Sequence, residues 1–181
     1  MGPKIARHRA GALAHLFWTR SCTYVGAAMT TIETKYFGPM TYDDASCFEF
    51  PWGLPAFESE CRFLPIEMPG HQPLVFLQSV VTVSLCFIAL PVLAADGEYE
   101  LAVSAGDLRD LELDDQRQPA IGSEVLVLAL LSIHDDGPAT ANLLAPVVIN
   151  LANRWALQAI RGDTVYSYAQ PIGSARKELA C

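Results

Sequence analysis

The sequence predicts a mainly β, single-domain, antiparallel and barrel-like fold of about ten short strands with one short helix. Apolar and polar residues alternate with a period of two over short stretches, as half-buried strands require. Turn-forming Gly, Pro, Asp and Asn clusters separate those stretches at short intervals. A single segment carries both a helix start signal and amphipathic spacing. With 181 residues the chain can build one domain with a real core and is short for two. Many short strands without an internal repeat fit a closed or nearly closed barrel.

Residues 1–28 begin basic, pass an apolar patch from Gly11 to Trp18 and end Gly26-Ala27-Ala28, a loose imitation of a secretory signal. His15, Thr19, Arg20 and Ser21 interrupt the apolar part too early for one. Because Met29 stands just before the first strand pattern, residues 1–28 are read as an extension outside the fold or as a start set upstream of the true one. The folded domain is expected over residues 29–172, with a loose tail over 173–181.

Ile32, Thr34 and Tyr36 alternate with Glu33 and Lys35 in a first strand, which Gly38-Pro39 ends. A short second strand, Met40 to Tyr42, reaches the turn Asp43-Asp44. Phe48 and Phe50 point one way and Glu49 the other, before Pro51-Trp52-Gly53-Leu54-Pro55 forces a turn whose Trp52 and Leu54, with Phe57, can cover one end of the core. Arg62 to Met68 is the next strand, and 69–73 a loop. The uncharged run Leu74 to Leu90 is too short for the roughly 20 residues of a membrane span and holds Gln78, Ser79, Thr82 and Ser84, so it reads as two adjacent strands.

A strand through Tyr99, Leu101 and Val103 follows Asp96-Gly97. Ser104 with Asp107 three residues on resembles a capping box, and Leu108 and Leu111 give the helix an apolar side up to Leu113. Residues 114–122 are loop, Glu124 to Ile133 a buried strand, and His134-Asp135-Asp136-Gly137-Pro138 its closing turn. Thr140 to Asn150 is an apolar run between Asn142 and Asn150, broken by Pro146, which cannot donate to a ladder and therefore belongs at a sheet edge or a bulge. Strands over Trp155 to Ile160 and Val165 to Tyr168 flank the turn Arg161-Gly162-Asp163.

Charge bounds the function. Residues 1–28 hold four basic side chains and no acid, whereas residues 29–181 hold 8 Lys+Arg against 20 Asp+Glu, a net charge near −12. An acidic body argues against direct binding to nucleic-acid phosphates and fits a basic partner or plain solubility. Five widely spaced cysteines without a C-x-x-C pair point to reduced thiols in the cytoplasm, with Cys86 as a core residue.

No catalytic residue, cofactor or metal ligand is expected. There is no G-x-S-x-G elbow, glycine-rich phosphate loop or zinc-spaced His/Glu pair. His134 beside Asp135 and Asp136 reads as a solvated turn, and Asp43-Asp44 and Asp114-Asp115 lack the alternation of a calcium loop. Gln78 and Ser79, inside an apolar run, need partners or cost about 1–3 kcal/mol. With Asn142, Asn150 and Gln158 they are either core polars bonded internally or contacts for a partner; in the first case Asn142 caps one turn and Asn150 steadies the next.

Several segments together resemble the flagellar assembly factor family FliW. They are Thr34-Lys35-Tyr36-Phe37-Gly38, Phe50-Pro51-Trp52-Gly53-Leu54-Pro55-Ala56-Phe57-Glu58 with Arg62-Phe63, Leu77-Gln78-Ser79, Thr140 to Asn150, Gln158 and Tyr166-Ser167. They keep the family's order and approximate spacing from about residue 31 to 172. The resemblance implies a non-enzymatic regulatory adaptor that binds CsrA, a small dimeric RNA-binding repressor, and alternatively flagellin. Export of flagellin would free the factor to relieve repression of flagellin translation. On that reading Gln78, Ser79, Asn142, Asn150 and Gln158 are the partner-binding residues, with no direct nucleic-acid or membrane contact.

The chain departs from the family at Val80-Val81-Thr82-Val83, where many members carry acids and a proline, at Leu90-Pro91 in place of Asp-Pro, and at Ala169 in place of a basic residue. Two alternatives stand beside this reading. One is a small barrel that binds a metabolite or hydrolyses one in its mouth, marked by a deep pocket lined by the same polars. The other is a diverged member binding one of the two partners.

Overall fold

A computed structural model of the chain describes residues 29–172, so the expectations for residues 1–28 and 173–181 lie outside the described residues. The elements are β1 (Met29–Thr34), β2 (Gly38–Asp43), β3 (Phe48–Glu49), β4 (Arg62–Glu67), β5 (Val75–Ser79), β6 (Cys86–Pro91), α1 (Val92–Ala95), α2 (Ala105–Asp110), β7 (Val125–Ser132), β8 (Thr140–Ala141), β9 (Val147–Asn150), β10 (Ala156–Gln158) and β11 (Gln170–Pro171). β1 and β2 form a separate hairpin, closed by Gly38 at φ +67. There the backbone enters the left-handed region that a Cβ disfavours. The main sheet runs β10-β9-β7-β6-β5-β4-β3, with β8 joining β7 to β11.

The mainly β, antiparallel expectation holds, and its closed form does not. β3 has two residues and β10 three, and no ladder joins them; the ends of the sheet pair through the single bridge Glu49↔Trp155, where Glu49 N–H donates to Arg154 C=O at 3.0 Å. The result is an open sheet curled on itself. Its inside is one cluster drawing on each of the seven strands of that path, including Phe48, Phe63, Leu77, Ala89, Leu128, Ile149 and Ala156.

Strand alternation sends the intervening residues outward into two further clusters. Leu64 and Ile66 of β4 pack under the β1–β2 hairpin with Tyr42 and Cys47. Val125, Val127 and Ala129 of β7, Val148 of β9 and Leu157 of β10 pack under Leu108 and Leu111 of the helical segment and under Tyr99 and Val103. β7 is thus covered on both faces, which is why its sequence is a nearly continuous Val/Leu run.

The structure departs from the expected elements at several places. Tyr99 to Val103 pairs with no strand; Gln118 bonds both backbone groups of Val103, at 2.8 and 2.9 Å, and the Tyr166 hydroxyl accepts from Glu100 N–H at 2.9 Å. Residues 165–168 likewise form no strand, although Ser167 C=O accepts from Leu143 and Leu144 N–H. α1 was not expected. α2 starts as its cap predicts, Ser104 Oγ accepting from Asp107 N–H at 3.1 Å, and is shorter than expected.

Of the residues meant to cover the core end, Leu54 is buried while Trp52 and Phe57 remain partly exposed. Pro146 splits Thr140–Asn150 into β8 and β9. β9 is not an edge, since it pairs with β7 on one side and β10 on the other. Between the pairs Leu131↔Ala141 and Leu128↔Val147, β7 spends residues 129–130 while the opposite chain spends 142–146, so the proline sits in a bulge.

Candidate functional site

The five motif polars occupy three places. Gln78 and Ser79, both wholly buried, end β5. Gln78 Nε2 faces three carbonyls, Ser79 at 2.9 Å, Leu85 at 3.0 Å and Val83 at 3.2 Å, and its Oε1 is buried without a partner. Ser79 Oγ donates to the Glu60 carboxylate and accepts from Thr82 N–H at 2.8 Å and Val81 N–H at 3.1 Å. Glu60, itself 5% exposed, also accepts from Thr82 Oγ1 at 2.5 Å. These three side chains fix the β5–β6 loop, residues 80–85. Sequence reasoning missed Glu60, whose partners are 19 and 22 residues away.

The second place is the bulge between β8 and β9, and the third is the far end of β9. Asn142 Oδ1 accepts from Ala145 N–H at 2.9 Å, and Gln158 Nε2 donates to Ala145 C=O at 2.8 Å, so these half-buried side chains hold both backbone groups of one residue. Asn150, 3% exposed, donates to Leu111 C=O at 2.8 Å and accepts from Ala152 N–H at 2.8 Å. It thereby satisfies a carbonyl left over at the C-terminus of α2 and steadies the turn after β9. Each of the five is therefore hydrogen-bonded to backbone, and Asn142 and Gln158 keep part of their surface in solvent.

Around the bulge, Arg161 lies 4.8 Å from the Tyr166 ring centre and 5.7 Å from that of Tyr99, and makes a two-pronged pair with Asp163 at 2.8 and 3.1 Å. Those hydrogen bonds hold the Asp163 carboxyl below its usual range, and burial pushes the Tyr99 hydroxyl up. Beside this clamp a cavity of about 720 Å³ is lined by Asp96, Glu98, Leu143, Val165, Tyr166 and Gln170, among others, and by none of the five motif polars.

The remaining charged pairs are accounted for by structure. Asp43 caps the turn that follows it, Asp44 lies 3.7 Å from Arg62, and Asp114 and Asp115 pair with Arg117 and Arg109. His134 reaches Thr140 Oγ1 at 3.2 Å on an exposed turn. Among the described residues no group of three His, Cys, Asp or Glu could hold a metal ion, and no helix is long and apolar enough to cross a membrane.

A family model described as FliW protein matches residues 31–172. The flagellar assembly factor FliW of Bacillus subtilis (strain 168) is 31% identical over 143 residues, covering 78% of this chain and 96% of that protein. The flagellar assembly factor FliW of Geobacillus sp. (strain WCH70) is 33% identical over 137 residues, covering 75% and 90%. A crystal structure of the flagellar assembly factor FliW superposes with a TM-score of 0.71 at 27% identity, covering 81% of this chain and 99% of that one. With the family's segments in order on a matching fold, this chain belongs to the FliW family.

Proposed function

We propose that the chain is a non-enzymatic, cytoplasmic adaptor of flagellum assembly that binds the translational repressor CsrA and, in competition, flagellin. Its free concentration would then report how much flagellin has been exported, and binding CsrA would relieve repression of flagellin translation. The observation that carries this reading is the family match across residues 31–172, nearly the whole described fold. The acidic body suits a partner whose RNA-binding role requires basic surface, chiefly by speeding encounter. We place the folded unit at residues 29–172.

The five motif polars divide by exposure. Asn142 and Gln158 can touch a partner directly, whereas Gln78, Ser79 and Asn150 can act only through the backbone they hold. The cavity lined by Tyr166 and Asp96 includes none of the five, which weighs against the ligand-binding barrel defined by a pocket of those polars. Co-purification of the chain with CsrA and with flagellin of the same organism tests the proposal. A complex with each, and displacement of one by the other, is expected; no complex with either, at micromolar protein and moderate salt, would refute it.

A further inference from the structure

Loop tips are ordinarily polar, yet the β5–β6 loop reads Val80-Val81-Thr82-Val83-Ser84-Leu85, without a charge, in a body of strong negative charge. Val81 is 63% exposed and Val83 39%. The backbone between them is nonetheless fixed from several directions. Ser79 Oγ accepts from the N–H of Val81 and Thr82, Gln78 donates to the carbonyls of Val83 and Leu85, and Glu60 takes the Thr82 hydroxyl. Lys35 N–H, from the β1–β2 turn, donates to Val83 C=O at 3.1 Å.

This buried network holds an exposed valine pair whose own side chains are already stiff. Such a surface loses little further entropy on docking. The turn tied to it brings Tyr36, 59% exposed, with the Lys35 ammonium 5.1 Å from its ring centre. Among the described residues Lys35 and Arg154 are the cations without a carboxylate in ion-pair range. Arg154 is turned to Ser46 C=O and the Phe48 ring. Residues 35–37 and 80–85 together hold this one cation and no acid.

We infer that Val81, Val83 and Tyr36 form a preformed docking tip for an apolar segment of a protein partner that carries a carboxylate opposite Lys35, with Glu60, Gln78 and Ser79 as positioning residues behind it. A basic segment is not the occupant, because the one charge the tip presents to solvent is the Lys35 ammonium, while the Glu60 carboxylate behind the loop is buried and taken up by the Ser79 and Thr82 hydroxyls. The inference rests on the adaptor reading and specifies one of its contact surfaces.

The test uses the full chain, with flagellin and CsrA of the same organism as probes, in titration calorimetry with melting temperatures alongside. The double variant Val81→Asp, Val83→Asp is expected to lose about tenfold or more in affinity for one probe at an unchanged melting temperature. Lys35→Glu is expected to weaken the same probe about fivefold, and Lys35→Arg to restore it. Ser79→Ala is expected to weaken that probe and to speed hydrogen exchange at the Val81 and Thr82 amides. Unchanged affinity of the double variant for both probes overturns the docking tip alone. A wild-type chain that binds neither probe overturns the adaptor reading and the tip with it.

Discussion

The β5–β6 loop and the β8–β9 bulge solve the same problem with different exposure. Each is an irregular stretch whose backbone groups have no ladder, and each is held by amide or hydroxyl side chains from the family's motifs. In the loop the holding groups Gln78 and Ser79 are wholly buried, while Val81, Thr82, Val83 and Ser84 reach solvent. In the bulge Asn142 and Gln158 stand at the surface while they grip Ala145. Burial therefore decides what such a clamp is worth, because an abandoned backbone group costs most where water cannot replace the lost partner. A motif residue can be a contact only where its clamp is open to solvent.

Substitution effects should accordingly fall in the order of burial. Gln78→Ala strands carbonyls in the β5–β6 loop and opens a cavity, so a loss of about 3 kcal/mol is expected by urea denaturation. Asn150→Ala frees Leu111 C=O and Ala152 N–H at a buried sheet end, for about 2 kcal/mol. If the two variants exchanged rank, burial would not be the controlling variable. Asn142→Ala should cost about 1 kcal/mol, because solvent can reach Ala145 N–H. In the partner assay its affinity should fall by more than this stability loss accounts for. A matching loss in both would make Asn142 structural alone.

What the sequence made legible follows the same line. β7 was readable because burial on both faces leaves a continuous Val/Leu run, and α2 because Ser104 and Asp107 form a local cap. Tyr99 to Val103 alternates as a strand would, but Gln118 and Tyr166 occupy the place of a neighbouring strand, and no period along the chain distinguishes the two. α1 is four residues long with no side-chain cap at Pro91, so nothing local announces it. Pro146 correctly marked a break; its bulge lies inside the sheet because five residues between β8 and β9 absorb the missing donor. Each candidate polar was readable as needing a partner. The local bonds of Asn142 to Ala145 N–H and of Asn150 to Ala152 N–H follow from turn chemistry, whereas Glu60 beside Ser79, Leu111 C=O at Asn150 and Ala145 C=O at Gln158 depend on contacts distant in sequence.

The Arg117–Glu124 pair extends the comparison to an exposed clamp, with side chains 55% and 35% exposed. Glu124 accepts from Arg117 at 2.5 and 2.8 Å and from Ala120 N–H at 2.8 Å, and these bonds bring its carboxyl down from 4.5 to about 2. A depressed carboxyl stabilises the fold above its unfolded value, and that contribution is lost as pH falls from about 4.5 through about 2. Glu49 works in the opposite sense, since burial raises its carboxyl and its ionisation opposes folding as pH rises. Glu124→Gln keeps an acceptor for Ala120 N–H and removes the charge. Its urea midpoint should therefore decline less steeply in acid than that of the wild type, by a margin smaller than any of the buried substitutions and reduced further by salt. An identical acid slope in the two proteins would place the pH dependence in other carboxylates and leave the exposed clamp without measurable value.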